Sequence, residues 1–154
     1  SAGQYQGAKA KAFCLPCIPG RANNFSAQEE CTACSQNMYT DTPEAKVCSM
    51  CPLGFHQPLN SSASCLPCAA GTYGLDNACH ECPRGWYRGG QDADTSQCLQ
   101  CPRGQDTANR TGAAECSQCD LGRYGHRNGS CAECPSGRYQ DGKGQKTCLT
   151  CSNG

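Results

Sequence analysis

Eighteen of the 154 residues are cysteine, and every one belongs to a Cys-x-x-Cys pair. The nine pairs are Cys14/Cys17, Cys31/Cys34, Cys48/Cys51, Cys65/Cys68, Cys79/Cys82, Cys98/Cys101, Cys116/Cys119, Cys131/Cys134 and Cys148/Cys151. Such pairs support three kinds of chemistry. Two pairs of thiolates hold a tetrahedral zinc ion. A single pair with a lowered thiol pKa runs thiol–disulfide exchange. Pairs can also cross-link the chain as structural disulfides. The spacing Cys-x2-Cys-x13-Cys-x2-Cys suits a four-cysteine zinc site, yet nine pairs would fill four sites and strand one pair. Thiol oxidoreductases set the motif in a βαβ pattern, and nine copies without that pattern argue for structure. Disulfides fit the even count of cysteines and the shortage of anything else to hold a fold.

Other reactive side chains are scattered. His56, His80 and His126 lie in different repeats with no paired spacing and read as loop histidines. Asp92-Ala93-Asp94 offers carboxylates to calcium but lacks the glycine-containing ligand loop of a calcium site, and reads as a solvated loop. Trp86 beside Tyr87 reads as packing on a disulfide. No nucleophile triad, phosphate loop or acid pair stands out, so a non-enzymatic protein without metal or cofactor is expected. Four sequons do stand out: Asn24-Phe25-Ser26, Asn60-Ser61-Ser62, Asn109-Arg110-Thr111 and Asn128-Gly129-Ser130. Each lies three to seven residues before a closing cysteine pair, where a glycan points outward. They predict N-linked glycans and a secretory route, hence an oxidising compartment, and a secreted or cell-surface location.

The chain that positions these residues has little else to fold around. Leu, Ile, Val and Phe number only 13, too few to offset the ordering entropy of a globular core. Cross-links must stand in for one. Thirteen cationic and thirteen acidic residues balance, giving no case for nucleic acid, and no apolar run is long enough for membrane insertion. The pairs recur every 17 residues for three steps, then every 14 to 19. That is a tandem array of about nine repeats over residues 1–154, in which each repeat is expected to touch mainly its neighbours. Loops open before residue 1 and at Cys17, Cys34, Cys51, Cys68, Cys82, Cys101, Cys119 and Cys134, and a further one is truncated at Cys151.

Numbering each loop from its opening cysteine gives a register. Position +3 is Gly20, Asn37, Gly54, Gly71, Gly85, Gly104, Gly122, Gly137 and Gly154. Asparagine is the other residue that readily enters the left-handed region. Position +1 is proline at Pro52, Pro83, Pro102 and Pro135, which suggests a type I turn with proline at its second residue and glycine at its fourth. Position +5 is tyrosine at Tyr39, Tyr73, Tyr87, Tyr124 and Tyr139, and Gly3 and Tyr5 keep the same register before Cys14. A turn followed by a short aromatic-bearing segment predicts one small hairpin per repeat, strands of two or three residues, and essentially no helix.

The simplest connectivity closes each loop: Cys17–Cys31, Cys34–Cys48, Cys51–Cys65, Cys68–Cys79, Cys82–Cys98, Cys101–Cys116, Cys119–Cys131 and Cys134–Cys148. Each closes about 15 residues, worth about 3 kcal/mol in the chain-entropy model. A staggered scheme of interlocked pairs stays open. Closing each loop leaves Cys14 and Cys151 for intermolecular bonds or for cysteines outside the sequence. The register is interrupted at both termini, as in a window on a longer array or a subunit completed by its neighbour.

Cys82-Pro83-Arg84-Gly85-Trp86-Tyr87 leading to Cys98-Leu99-Gln100-Cys101, and Cys134-Pro135-Ser136-Gly137-Arg138-Tyr139 leading to Cys148-Leu149-Thr150-Cys151, resemble the ephrin-receptor-like cysteine-rich repeats. They are also similar to the loops of the tumour necrosis factor receptor family, although the spacing never forms a six-cysteine module. The resemblance implies an elongated extracellular rod of disulfide-laddered loops and minimal β-hairpins. Ala22, His56 and Asp106 depart from it at the tyrosine position. The expected function is a structural extracellular glycoprotein: a segment or subunit of a cell-surface or extracellular fibre or coat. Its partners would be other copies of itself or neighbouring repeats of a longer chain. The alternative is a ligand-binding stalk or ectodomain segment of a receptor, with a protein ligand.

Overall fold

The computed structural model describes residues 1–8, 12–92 and 94–152. They form two compact units, Ser1–Pro67 with Leu75–Ala78, and Cys68–Gly74 with Cys79–Gly154. Among the described residues there is no helix, and the strands form nine two-stranded antiparallel sheets. This is a small disulfide-rich repeat fold with minimal hairpins.

One rule builds most of the hairpins. The first strand is +4 and +5 of a loop; the second is the dipeptide between the cysteines of the closing pair. Thus Gln4–Tyr5 pairs with Leu15–Pro16, and Met38–Tyr39 with Ser49–Met50. Likewise Trp86–Tyr87 pairs with Leu99–Gln100, and Arg138–Tyr139 with Leu149–Thr150. The Cys-x-x-Cys motif is therefore a strand whose flanking cysteines serve two successive loops.

The turn that starts each hairpin differs by one residue from the type I turn suggested by Cys-Pro-x-Gly. The N–H of Phe55, Trp86, Gln105 and Arg138 bonds the carbonyl of Pro52, Pro83, Pro102 and Pro135. Proline is thus the first residue of the turn and glycine the third. Gly54, Gly85 and Gly137 have φ of 84°, 79° and 81°, and Asn37 has 60°. A positive φ at the third position alone is the type II pattern, which explains why the position is glycine or asparagine.

The buried apolar residues are almost all sulfur: Cys17, Cys31, Cys34, Cys51, Cys68, Cys82, Cys101, Cys119 and Cys131, together with Ala22. The buried polar residues are Asn23, Thr40, Gln57, Arg88, Thr107 and Gln140. All six occupy position +6. Each side chain makes at least one hydrogen bond, as burial of polar groups demands. Gln57 donates to Ser64 O at 2.7 Å and accepts from Leu59 N at 3.1 Å. Gln140 repeats this with Thr147 O at 2.7 Å and Gly142 N at 3.0 Å. Gln6, at the same position, bonds Phe13 O and Ala8 N. The glutamine is a strut across the inside of its loop.

Gln140→Glu tests the strut. A carboxylate cannot donate to Thr147 O, and the orphaned carbonyl and misplaced charge destabilise the loop by about 2 kcal/mol. Trypsin then cuts after Lys143 or Lys146 faster than in the parent, read as an 18 Da mass gain with the disulfide intact. Equal cleavage rates would show that the strut is dispensable.

Successive loops are locked through the backbone. The +3 N–H donates to the +6 carbonyl of the next loop: Gly3 to Asn23 at 2.7 Å, Gly20 to Thr40 at 2.8 Å, and Gly122 to Gln140 at 2.7 Å. The +6 N–H donates onward, from Asn23 to Ala45 O at 3.0 Å and from Gly125 to Gln145 O at 2.8 Å. A third link comes from a left-handed residue late in a loop, such as Glu44 (φ 57°), Ser61 (φ 58°), Gly112 (φ 67°) and Gly144 (φ 70°). The N–H of Glu44 bonds Cys17 O of the preceding loop at 2.9 Å, and that of Gly144 bonds Cys119 O at 2.8 Å. Their carbonyls lie over the turn glycine two loops back. A Cβ on Gly3 would stand 2.1 Å from Glu44 O, and one on Gly104 2.2 Å from Gly144 O. Contacts therefore reach the second neighbour within each unit, beyond the nearest-neighbour stacking expected of a simple repeat array.

Candidate functional site

Eight disulfides join Cys17–Cys31, Cys34–Cys48, Cys51–Cys65, Cys68–Cys79, Cys82–Cys98, Cys101–Cys116, Cys119–Cys131 and Cys134–Cys148. Each closes one loop, and six of the eight loops carry a buried polar residue at +6. Cys14 and Cys151 carry free, exposed thiols. Asn24, Asn60, Asn109 and Asn128 are all exposed. In the last sequon the Ser130 hydroxyl donates to Asn128 Oδ1 at 2.7 Å.

The remaining candidates stay dispersed. His80 is exposed and lies 6.0 Å from the Tyr73 ring, tilted by 44°. His126 Nδ1 lies 3.1 Å from Asn128 Oδ1. Asp94 accepts from the Ser96 hydroxyl and the Ser96 N–H, then from Gln97 Nε2. These hydrogen bonds, with the Arg88 charge adding in the same direction, hold its carboxyl below the usual carboxylate range. Asp94 is thus committed to its own turn, and Ala93 of the acidic triplet lies outside the described residues. Trp86, 38 % exposed, forms a shallow cleft with Tyr73, Pro83, Gln97 and Cys98. Cys98, of the Cys82–Cys98 disulfide, lines the same cleft.

Two clefts in the second unit collect charged side chains. One, of about 480 Å³, is lined by Arg84, Asp106, Asn109, Arg123 and Asn128. Asp106 is engaged there, accepting from Ala108 N and Cys131 N. The other is lined by Arg103, Tyr124, Arg138, Lys146 and Thr147. Sequence register alone did not reveal either cleft, because each joins loops two apart.

Residues 44–75 and 71–119 match the family described as Tyrosine-protein kinase ephrin type A/B receptor-like. These are ephrin-receptor-like cysteine-rich repeats. The chain is 32 % identical over 152 residues to the Sushi, von Willebrand factor type A, EGF and pentraxin domain-containing protein 1 of Rattus norvegicus. That alignment covers 90 % of this chain and 4 % of the relative. The same protein of Mus musculus is 31 % identical over 90 % of the chain and 4 % of its own length. Thyroglobulin of Rattus norvegicus is 36 % identical over 72 residues, 45 % of the chain and 2 % of thyroglobulin. The ephrin-receptor-like repeats thus correspond to a small part of large multidomain proteins, and they form an extracellular repeat segment. No helix among the described residues is long and apolar enough to cross a membrane.

Proposed function

We propose that these repeats are a structural segment of an extracellular glycoprotein, forming part of a cell-surface or extracellular fibre or coat. The observation that carries the reading is the backbone lock. The late left-handed residue of a loop bonds the loop before it, and its carbonyl seats on the turn glycine of the loop before that. Tension on one loop is then shared by two others, with a disulfide closing each. Glycans on Asn24, Asn60, Asn109 and Asn128 would shield exposed backbone from proteases, and the open thiols of Cys14 and Cys151 supply points for covalent continuation to another chain or repeat. A receptor stalk is the second reading; the receptor-like description of the matched family favours it.

Secretion from a eukaryotic cell, then non-reducing electrophoresis and peptide mapping, separates the two. A structural segment is expected to give disulfide-linked multimers that disappear in Cys14→Ser or Cys151→Ser. An amide-cleaving N-glycosidase is expected to convert occupied sequon asparagines to aspartate. Monomers with both thiols free, together with saturable binding of a soluble protein, would replace the structural reading by the receptor one.

A further inference from the structure

The chain carries no net charge, yet one crevice of the second unit is cationic only. Arg103, Arg138 and Lys146 line it, together with Tyr124 and Thr147, and no carboxylate does. All three cations are exposed. The ion pair found among the described residues is Lys143–Asp120 at 3.0 Å, so none of these three has an acidic partner there. Arg103 Nε donates to Gly125 O at 3.2 Å, which anchors the guanidinium plane and leaves its outer nitrogens free.

The arrangement repeats one loop earlier. Arg84 and Arg103 both occupy +2 of their loops; Arg123 and Arg138 both occupy +4 of the loops two further on. Arg84 and Arg123 line one cleft, Arg103 and Arg138 the next. The second-neighbour stacking thus generates arginine pairs at the spacing of the repeat. A guanidinium fork recognises tetrahedral oxyanions through paired N–H donors. A ladder of such forks suits a linear polyanion better than a single small anion, because each engaged rung raises the effective concentration at the next. The charge pattern is read at short range, since the field of exposed charges decays within about 8 Å at physiological salt.

We propose that the second unit binds a linear sulfated polysaccharide, with Arg103, Arg138 and Lys146 as the principal sulfate contacts and Arg84 and Arg123 as the second rung. The proposal commits to a polysaccharide because the segment is extracellular, where sulfate esters on linear sugar chains present anions at regular intervals. It stands apart from the structural reading above, which rests on the backbone lock. The second rung is bounded by the sequons Asn109 and Asn128, so glycans there would cover it and leave the first rung open.

The test uses immobilised heparin and the same heparin chemically desulfated. The intact chain is expected to bind heparin at physiological salt and not the desulfated form, with affinity falling as salt rises through counterion release. The triple substitution R103Q, R138Q, K146Q is expected to weaken binding about a hundredfold, the product of about fivefold per cation. The double substitution R138Q, K146Q keeps the Arg103–Gly125 bond and is expected to lose about twentyfold by the same rule. K46Q in the first unit serves as the control and is expected to change nothing. Removing N-glycans is expected to strengthen binding, and R84Q with R123Q to cancel that gain. Equal binding of sulfated and desulfated chains, undiminished binding by the double variant, or binding of an acidic phosphopeptide in place of heparin would each overturn the proposal.

Discussion

Gly71→Ala is expected to open the second unit locally, whereas Gly137→Ala, chemically the same change, leaves it nearly intact. The two glycines share a backbone conformation, with φ of 78° and 81°. An alanine in the left-handed region is strained by about 1–2 kcal/mol at either site. The surroundings differ. A Cβ on Gly71 would meet Gly112 O at 2.1 Å and Gly112 C at 2.8 Å, while one on Gly137 meets nothing within 4 Å. The obstacle at Gly71 is backbone held on both sides: Gly112 N donates to Cys82 O at 2.8 Å, and Gly71 N donates to Arg88 O at 2.7 Å. Relief of the clash breaks at least one of these bonds, for a total loss of about 3–5 kcal/mol against about 1–2 kcal/mol at Gly137. Amide hydrogen exchange with the disulfides intact reads this directly. The amides of Gly112 and of residue 71 should lose protection at least a hundredfold in Gly71→Ala, and both should be unchanged in Gly137→Ala. Matched effects at the two sites would mean that the strained φ, and not the second-neighbour contact, is what the glycine serves.

That contrast also marks how far the sequence could be read. The +3 glycine and the +5 tyrosine were visible because their chemistry is narrow: one needs a left-handed backbone, the other an extended one. The turn type was misjudged by one residue because proline is at home in several places of a turn, and only the hydrogen bond from +4 to +1 decides among them. The second-neighbour lock left no trace. Its left-handed residues include Glu44 and Ser61, which advertise nothing. They are held there by tertiary contacts, not by propensity.

Position +6 was hidden for another reason. Asn23, Thr40, Gln57, Arg88, Thr107 and Gln140 share burial but no side-chain length or charge. In a sequence they pass for loop polarity. What unites them is a supply of carbonyls and amides at different reaches. Gln57 and Gln140 span their own loops, each closed at a separation of 14 residues; Asn23 Nδ2 turns back to Gln4 O at 2.9 Å in the preceding loop; Thr107 places its hydroxyl between Gly85 N at 3.0 Å and Arg110 O at 2.9 Å. A core of sulfur and hydrogen-bonded polar groups is what a chain with so few large apolar residues can build. Most of its leucines, including Leu53, Leu59 and Leu121, are left exposed.

Arg88 is the extreme case, and its removal is expected to be as damaging as the clash at Gly71. It is 1 % exposed, among the most buried side chains described. Its guanidinium has no carboxylate partner there. It donates instead to the carbonyls of Thr72, Cys68 and Ala69, the last at 2.7 Å. Thr72 is +4 of the preceding loop, the position Asn23 also bonds, so the arginine extends the asparagine's role to two more carbonyls. Desolvating a guanidinium is unfavourable by several kcal/mol, and only charge-assisted bonds to oriented carbonyls offset it. The side chain substitutes for residues that the loop Cys68–Cys79, the shortest of the eight closed by disulfides, does not have. Arg88→Met keeps the bulk and strands three carbonyls, for a loss of about 3–5 kcal/mol. Arg88→Lys keeps the charge, but a compact ammonium cannot reach three carbonyls in a plane, so it rescues only part of the loss. Thermal unfolding of the three proteins, with hydrogen exchange resolved to residues 68–79, gives the order Arg, Lys, Met. If Arg88→Met melts like the parent, water has replaced the guanidinium and the loop does not depend on it.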